Sequence, residues 1–243
     1  MKLSLKNIGK IKEADVEIKG ITVIAGENNT GKSTVGKVLF SIFNGLYNID
    51  NQIKKEKIQS VSKIIDNSLW LAVYTDSDEI GEYIVDNIDY FGDFDDESLS
   101  DIVIDAFQAS GDNVDVEEFS DKFFNQLFSV LKVPEDEILQ KMLGDRINYE
   151  FNEQINNIYS NEPGEIILTI KNNPVQIRLL NNKIEKIEGV LNLKIEAIYI
   201  DDPFIIDESK KISHMNFFDA RQHYGHRDDL KIKLNRGTGF KCY

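Results

Sequence analysis

The chain has very little cysteine and no long apolar run. Cys242 is the single cysteine among 243 residues, so an intramolecular disulfide is excluded, and this composition is typical of the reducing cytoplasm. No run of about 18 apolar residues is present, which argues against a membrane-spanning helix. Residues 1–5 alternate apolar and polar side chains and do not resemble a signal peptide. The sequence therefore predicts a cytoplasmic protein with no membrane partner.

Basic residues are absent from one long segment. Residues 75–121 contain 17 of the 42 acidic residues and no Lys or Arg. The rest of the chain carries 25 acidic and 28 basic residues, so the net charge of −14 belongs to this segment. The charge therefore does not indicate a general nucleic-acid surface, although a local basic patch on the body is compatible with it. Because the segment is also rich in apolar residues, it predicts helices with one acidic face, which is either solvated or a docking surface for a basic effector protein.

The most informative motif is Gly26-Glu27-Asn28-Asn29-Thr30-Gly31-Lys32-Ser33, followed by Thr34, which matches the phosphate-binding pattern G-x-x-x-x-G-K-[ST]. The β-branched residues 21–25 before it predict a strand, and apolar residues at spacings of three and four after it predict a helix. The two glycines would let backbone N–H groups approach phosphate oxygens at the start of that helix. Lys32 is expected to reach the β- and γ-phosphates, and the Ser33 hydroxyl to ligate Mg²⁺.

The middle of the chain has the spacing of helices. After the helix that follows the motif, apolar residues at helical spacing continue through the acidic segment and into a phenylalanine-rich stripe that ends before Pro134. A further helix is predicted over about residues 135–159, broken or kinked near Gly144. We therefore predict a mostly helical acidic insert over residues 49–163.

Alternating apolar residues predict strands on both sides of this insert. Residues 2–6 and 15–19 predict two strands ahead of the motif, and the alternation beyond Gly164 predicts a hairpin that Ile184 and Ile187 extend into a meander. A last strand is predicted over residues 195–200. The predicted fold class is α/β, with residues 1–48 and 164–243 forming a split nucleotide-binding domain that carries an antiparallel β-subdomain.

The N-terminal sequence resembles that of ABC-type ATPases of the SMC, RecF and OLD-like kind. The resemblance rests on residues 3–11 (LSLKNIGKI), the two early strands and the loop GENNTGKST; it is specific over about residues 1–45 and diffuse thereafter. It implies an ABC-like P-loop core, ATP and Mg²⁺ as ligands, and a helical insertion. It also implies homodimers on ATP binding, in which a signature loop of one subunit contacts the γ-phosphate held by the other. A nucleic-acid partner is implied by this resemblance alone and is not indicated by the charge.

The resemblance further requires a Walker B strand, which ends in an Asp for the Mg²⁺ shell and an acid that polarises water. The candidate is Ala197-Ile198-Tyr199-Ile200-Asp201-Asp202-Pro203. Asp201 would serve the metal, and Asp202 would take the catalytic position with a shorter side chain than the usual Glu. His223 or His226 would then stand for the family's switch histidine. A simple turn at the end of the strand is the alternative explanation of the two aspartates.

A second register uses the end of the chain. Gly237-Thr238-Gly239-Phe240-Lys241 loosely resembles the signature loop, which would place the true Walker B strand downstream. The two registers exclude each other, and we favour the second because it keeps the order of the family's motifs and because the chain ends without a closing helix. On this interpretation the chain is a head fragment that binds ATP, and hydrolysis requires a dimer or downstream motifs.

Other chemistries are less well supported. His223 and His226 have a spacing suited to one helical face, with His214 or Cys242 as further ligands, but no second ligand pair has zinc spacing. Residues 93–97 lack the glycine and terminal Glu of a calcium loop, and residues 181–185 only distantly approach the base-reading motif of GTPases. The main alternative to an ATPase is a regulatory module, in which bound nucleotide acts as a switch without turnover and the acidic insert docks an effector.

Overall fold

The computed structural model describes residues 1–68, 76–91, 94–111, 119–189, 191–201, 226–228 and 230, with the backbone alone for residues 89–91. These residues fall into two compact units. The first takes its residues from Met1–Ile49 and from Leu139 onward, and the second is formed by Asp50–Ile138. The second unit therefore lies within the predicted insert, whereas the last part of that insert belongs to the first unit.

The first unit contains a five-stranded antiparallel sheet with the spatial order β2-β1-β3-β4-β5. Its strands are β1 (Lys2–Ile8), β2 (Ile11–Glu17), β3 (Gly164–Ile170), β4 (Asn173–Leu180) and β5 (Lys183–Glu188). Apolar residues alternate along the central strands, and Leu5 opposes Ile166 with both side chains buried. One face of the sheet is therefore a core face. The two early strands, the hairpin and its extension into a meander are confirmed.

Two helices lie next to the strands of this sheet along the chain, one directly after β2 and one directly before β3. Helix α1 (Lys32–Gly45) begins within the glycine-rich motif of residues 26–33, as the apolar spacing predicted, and it buries Val35, Val38 and Ile42. Helix α6 (Glu135–Phe151) runs without interruption through Gly144 and is shorter than the sequence predicted. It ends because Asn152 and Glu153 adopt positive φ angles of 48° and 60°, which terminate the α-helical hydrogen-bonding pattern.

The second unit is helical and has its own apolar core. Its helices are α2 (Ile49–Ser68, whose first residue belongs to the first unit), α3 (Ser77–Phe91), α4 (Asp96–Ala109) and α5 (Asp121–Leu131). The phenylalanine-rich stripe is a core face, as predicted, because Phe123 and Leu127 are at most 1% exposed. Asp95 forms a capping box with Ser98 at the start of α4. The hydrogen bonds that the Asp95 carboxylate accepts from the hydroxyl and the backbone N–H of Ser98 hold its pKa below the usual value. The mostly helical character of this region is confirmed.

Two predicted strands are not formed in the described part of the chain. Residues 21–25 and 195–200 belong to no strand, and Ile21 and Ile195 are 95% and 73% exposed. A strand requires a neighbour that completes its backbone hydrogen bonds, and the apolar pattern alone does not supply one. Instead, the side-chain amide of Asn44 on α1 pairs with both the N–H and the carbonyl of Ala197, at 2.8 and 3.0 Å.

The observed fold class is therefore mixed α/β with an antiparallel sheet. Around the motif, the described residues form no parallel sheet beyond an isolated bridge between Tyr47 and Leu193. Among the helices described, none is both long and apolar enough to cross a membrane.

Candidate functional site

The glycine-rich motif of residues 26–33 forms a tight turn into α1 and packs against the turn between β1 and β2. Gly31 occupies the N-cap position with φ of 92°, a left-handed conformation that glycine tolerates and other residues resist. A Cβ atom at this position would lie 2.6 Å from Cγ1 of Ile11. Gly9, in the turn between β1 and β2, has φ of 53°, and a Cβ atom there would lie 3.5 Å from the side chain of Thr34, an ordinary contact distance. The loop therefore rests directly on the sheet's first hairpin.

Most of the predicted phosphate-binding residues line one cavity of about 300 Å³. The motif contributes Asn28, Asn29, Gly31, Lys32, Ser33 and Thr34. The other lining residues are Gly9 and Lys10 of the β1–β2 turn and Phe151 at the end of α6. Gly26, Glu27 and Thr30 are exposed in the same loop but do not line the cavity. The fold thus brings together the motif and three residues that the motif does not include.

The cavity is electropositive in the sense that two lysines, Lys10 and Lys32, line it and none of its described lining residues is acidic. The Lys32 ammonium group donates hydrogen bonds to the carbonyl of Gly26 at 2.7 Å and to the carbonyl of Glu27. The first N–H groups of α1 have no acceptor one turn earlier within the helix; that of Thr34 donates to the carbonyl of Gly31 at 3.1 Å, and this end of the helix carries partial positive charge. The arrangement is chemically suited to an anion with several oxygen acceptors.

A second cluster surrounds Asp201, the predicted metal ligand. Both carboxylate oxygens of Asp201 accept hydrogen bonds from Arg227, whose Nε lies 3.1–3.2 Å from them and whose Nη2 lies 2.6 Å from Oδ2. The ring Nε2 of His226 lies 3.2 Å from Oδ1, within ion-pairing distance but without the alignment of a hydrogen bond. The hydrogen bonds from Arg227 hold the pKa of Asp201 below its usual value. The described contacts of Asp201 are therefore with Arg227 and His226, not with the motif.

His226 is oriented by a buried carboxylate. Glu150 on α6 is 3% exposed, and it accepts the backbone N–H of His226 at 2.5 Å while its other oxygen lies 2.7 Å from the ring Nδ1. The ring is enclosed by Tyr199 and Phe40, with ring centroids 4.6 and 6.1 Å away. Burial, followed by the nearby charge of Asp201, raises the pKa of Tyr199. Glu150 thus fixes His226 beside Asp201.

The sequence did not point to Glu150, Arg227, Lys10 or Phe151. Glu150 and His226 are 76 residues apart, and a single acidic residue near the end of a helix gives no signal of burial. Lys10 follows Gly9 at a hairpin turn, which was the one available indication of a special position.

Several predicted residues lie outside the described residues. These are Asp202, Pro203, His214, His223, Asp93, Cys242 and residues 237–241. Of the remaining His, Cys, Asp and Glu, no group of three or more is arranged to hold a metal ion within the described ranges. For His226, the contacts shown are with Glu150 and Asp201.

The ion pair between Asp201 and Arg227 predicts a pH-dependent contribution to stability. A carboxylate whose folded-state pKa is lowered stabilises the fold above its unfolded-state pKa, and this contribution is lost as the pH falls through the folded-state value. Arg227→Met should therefore lower the thermal midpoint at pH 7, and its difference from the wild type should shrink below about pH 3.8, the usual value for Asp. Thermal unfolding across pH measures this.

The matched control is Arg178→Met, which removes an exposed ion pair with Glu185 on the sheet. It should change the midpoint little at any pH. A deficit of Arg227→Met that persists unchanged in acid would refute the electrostatic origin of the effect.

Comparisons with known proteins give no relative: no protein-family model, no curated protein and no solved structure matches this chain. The geometry of the cavity and of the cluster around Asp201 is therefore the basis for a function.

Proposed function

We propose that the protein binds ATP with Mg²⁺ at residues 26–34 and that it is the head portion of an ABC/SMC-like ATPase. The observation that carries this proposal is the position of the motif: it turns into the N-terminus of α1 and lines the electropositive cavity. A triphosphate offers charged oxygen acceptors to the N–H groups at the start of α1 and to the Lys32 ammonium group, which bonds here to two neutral carbonyls. The resemblance of the first 45 residues to ABC-type ATPases supports adenine as the base.

The roles of the side chains follow from their positions. Lys32 exchanges its bonds to two neutral loop carbonyls for charge-assisted bonds to phosphate oxygens, which are stronger. Ser33 is exposed at the cavity and offers a hard hydroxyl oxygen, the ligand type that Mg²⁺ prefers. When bound, Mg²⁺ would neutralise charge on the phosphates. Asp201 fits the metal chemically, but it must first release Arg227.

Hydrolysis is proposed to need more than this chain's described residues. Asp202 would polarise water next to Asp201, and a second subunit of an ATP-dependent homodimer, or downstream motifs, would complete the site. A partner effector would dock on the acidic helices of the second unit. The expected location is the cytoplasm.

The binding proposal is tested by titrating MgATP into the purified chain by calorimetry, with a thermal-shift measurement in parallel. Lys32→Ala should weaken binding about 100-fold, because two charge-assisted hydrogen bonds are worth about 3 kcal/mol. Lys12→Ala is the matched control, since Lys12 is an exposed lysine of the adjacent strand β2 that does not line the cavity. Absence of heat and of a thermal shift with the wild type, with Lys32→Ala behaving identically, would reject the proposal.

The second candidate is a regulatory module that binds nucleotide without turnover. The engagement of Asp201 by Arg227 favours it, because a metal-ligating carboxylate is then already paired. Phosphate release separates the two candidates: an ATPase releases phosphate when concentrated enough to dimerise, and a switch does not. Competition between ATP and GTP in the same titration tests the choice of base.

A further inference from the structure

A second lysine lies at the same cavity as Lys32. Lys10 is the last residue of the turn between β1 and β2, and its ammonium group donates a hydrogen bond to the side-chain carbonyl of Asn29 in the phosphate-binding loop. The turn is fixed: Gly9 donates its N–H to the carbonyl of Ile155 at 2.6 Å, and Ile8 pairs with Ile11 across the hairpin. Lys10 is therefore held toward the loop by a rigid element, although it lies 16 residues before Gly26.

The two ammonium groups have no acidic partner in the part of the chain that the structure describes. Lys32 is bonded to two carbonyl groups and Lys10 to one amide oxygen, and neither forms an ion pair with a described Asp or Glu. Two like charges at one cavity repel each other unless an anion lies between them. The pair therefore indicates an anion that carries more than one negative charge.

We propose that Lys10 is a second phosphate-binding cation, which contacts the outermost phosphate and makes the site prefer a nucleoside triphosphate to a diphosphate. This inference rests on the proposed function, because it assumes that the cavity receives a nucleotide. A residue outside the motif, Lys10, would then discriminate between the triphosphate and the diphosphate.

The charges explain why Lys10 acts on the outermost phosphate. A triphosphate carries one more phosphate group than a diphosphate, and Lys32 with the helix N-terminus serves the β-phosphate that both ligands share. Lys10 comes from a different chain segment and adds one positive charge to the site. Its hydrogen bond to the neutral Asn29 is weaker than a bond to a charged phosphate oxygen, so the exchange favours the ligand that reaches it.

The test compares MgATP with MgADP by calorimetry for four proteins: the wild type, Lys10→Ala, Lys10→Arg and Lys12→Ala. Lys10→Ala should weaken MgATP about tenfold and MgADP less than about threefold, and the MgATP affinity should become less sensitive to salt because one ion pair is lost. Lys10→Arg should keep most of the preference for ATP, since the charge remains. Lys12→Ala should resemble the wild type, and equal thermal midpoints without nucleotide would show that the variants fold alike.

The inference is overturned if Lys10→Ala binds MgATP as tightly as Lys12→Ala does, or if it weakens both nucleotides equally. Loss of binding in Lys32→Ala with full binding in Lys10→Ala would reject this inference and leave the proposed function intact. A wild type that binds neither nucleotide would reject the proposed function itself, and the inference with it.

Discussion

Replacing Glu150 with alanine is expected to lower the free energy of unfolding by about 3 kcal/mol. The carboxylate is buried and bonds both the backbone N–H and the ring of His226, so its removal leaves two buried polar groups without an acceptor and opens a cavity. Urea unfolding followed by circular dichroism measures the loss. Hydrogen exchange at residues 226–228 should accelerate more than exchange in the central strands, because Glu150 is the carboxylate that bonds His226.

The control on the same helix is Glu137→Ala, which removes an exposed carboxylate and should change stability by less than about 0.5 kcal/mol. Glu150→Gln should lose less than Glu150→Ala, because the amide oxygen still accepts the backbone N–H of His226. The double variant Glu150→Ala/His226→Ala should lose less than the sum of the single losses, since the two residues share one interaction. If Glu150→Ala unfolded like the wild type, the cluster would not stabilise the fold.

Local patterns were sufficient to predict most of the fold. The strands of the sheet repeat apolar residues every second position, as at Ile166 and Leu168, and those positions are fully buried because one face of the sheet is covered. The helices of the second unit likewise follow their apolar spacing, as Phe123 and Leu127 show. In both cases the apolar residues that form the sequence pattern are the residues that the fold buries.

The failures come from information that local patterns do not carry. Ile21 and Ile195 belong to β-branched runs, but a run becomes a strand only where another strand completes its hydrogen bonds. The end of α6 at Phe151 is set by two residues of positive φ, one of which is Glu153, a residue type that rarely adopts that conformation. Neither effect is visible as periodicity.

The candidate site likewise contains residues that the sequence identifies and residues that only the fold reveals. The motif is contiguous in sequence, so its cavity-lining residues could be named before the fold was known. Lys10, Phe151 and Glu150 reach their positions through the β1–β2 hairpin and α6, and such long-range placement requires the fold. The role of Asp201 in metal binding stays a prediction, and its pairing with Arg227 was not expected from sequence.

Substitution of Gly31 by alanine should damage both the loop and its ligand binding, with a loss of about 3 kcal/mol in the free energy of unfolding and at least about tenfold in MgATP affinity. Two independent costs combine: φ of 92° strains any residue with a Cβ, by about 1–2 kcal/mol, and the new Cβ would lie 2.6 Å from Ile11. The double variant Gly31→Ala/Ile11→Ala separates them, because truncating Ile11 removes the clash and leaves the strain. Ile11→Ala alone measures the cavity it creates, and the double variant should lose less than the sum of the two single losses. Gly20→Ala is the control, since its φ of 58° imposes the same kind of strain where no atom lies within 4 Å, so it should cost only the strain and leave MgATP affinity unchanged.

Urea unfolding and calorimetry measure both quantities. Strictly additive losses, or a Gly31→Ala protein that binds like Gly20→Ala, would show that contact between the loop and the hairpin does not shape the site.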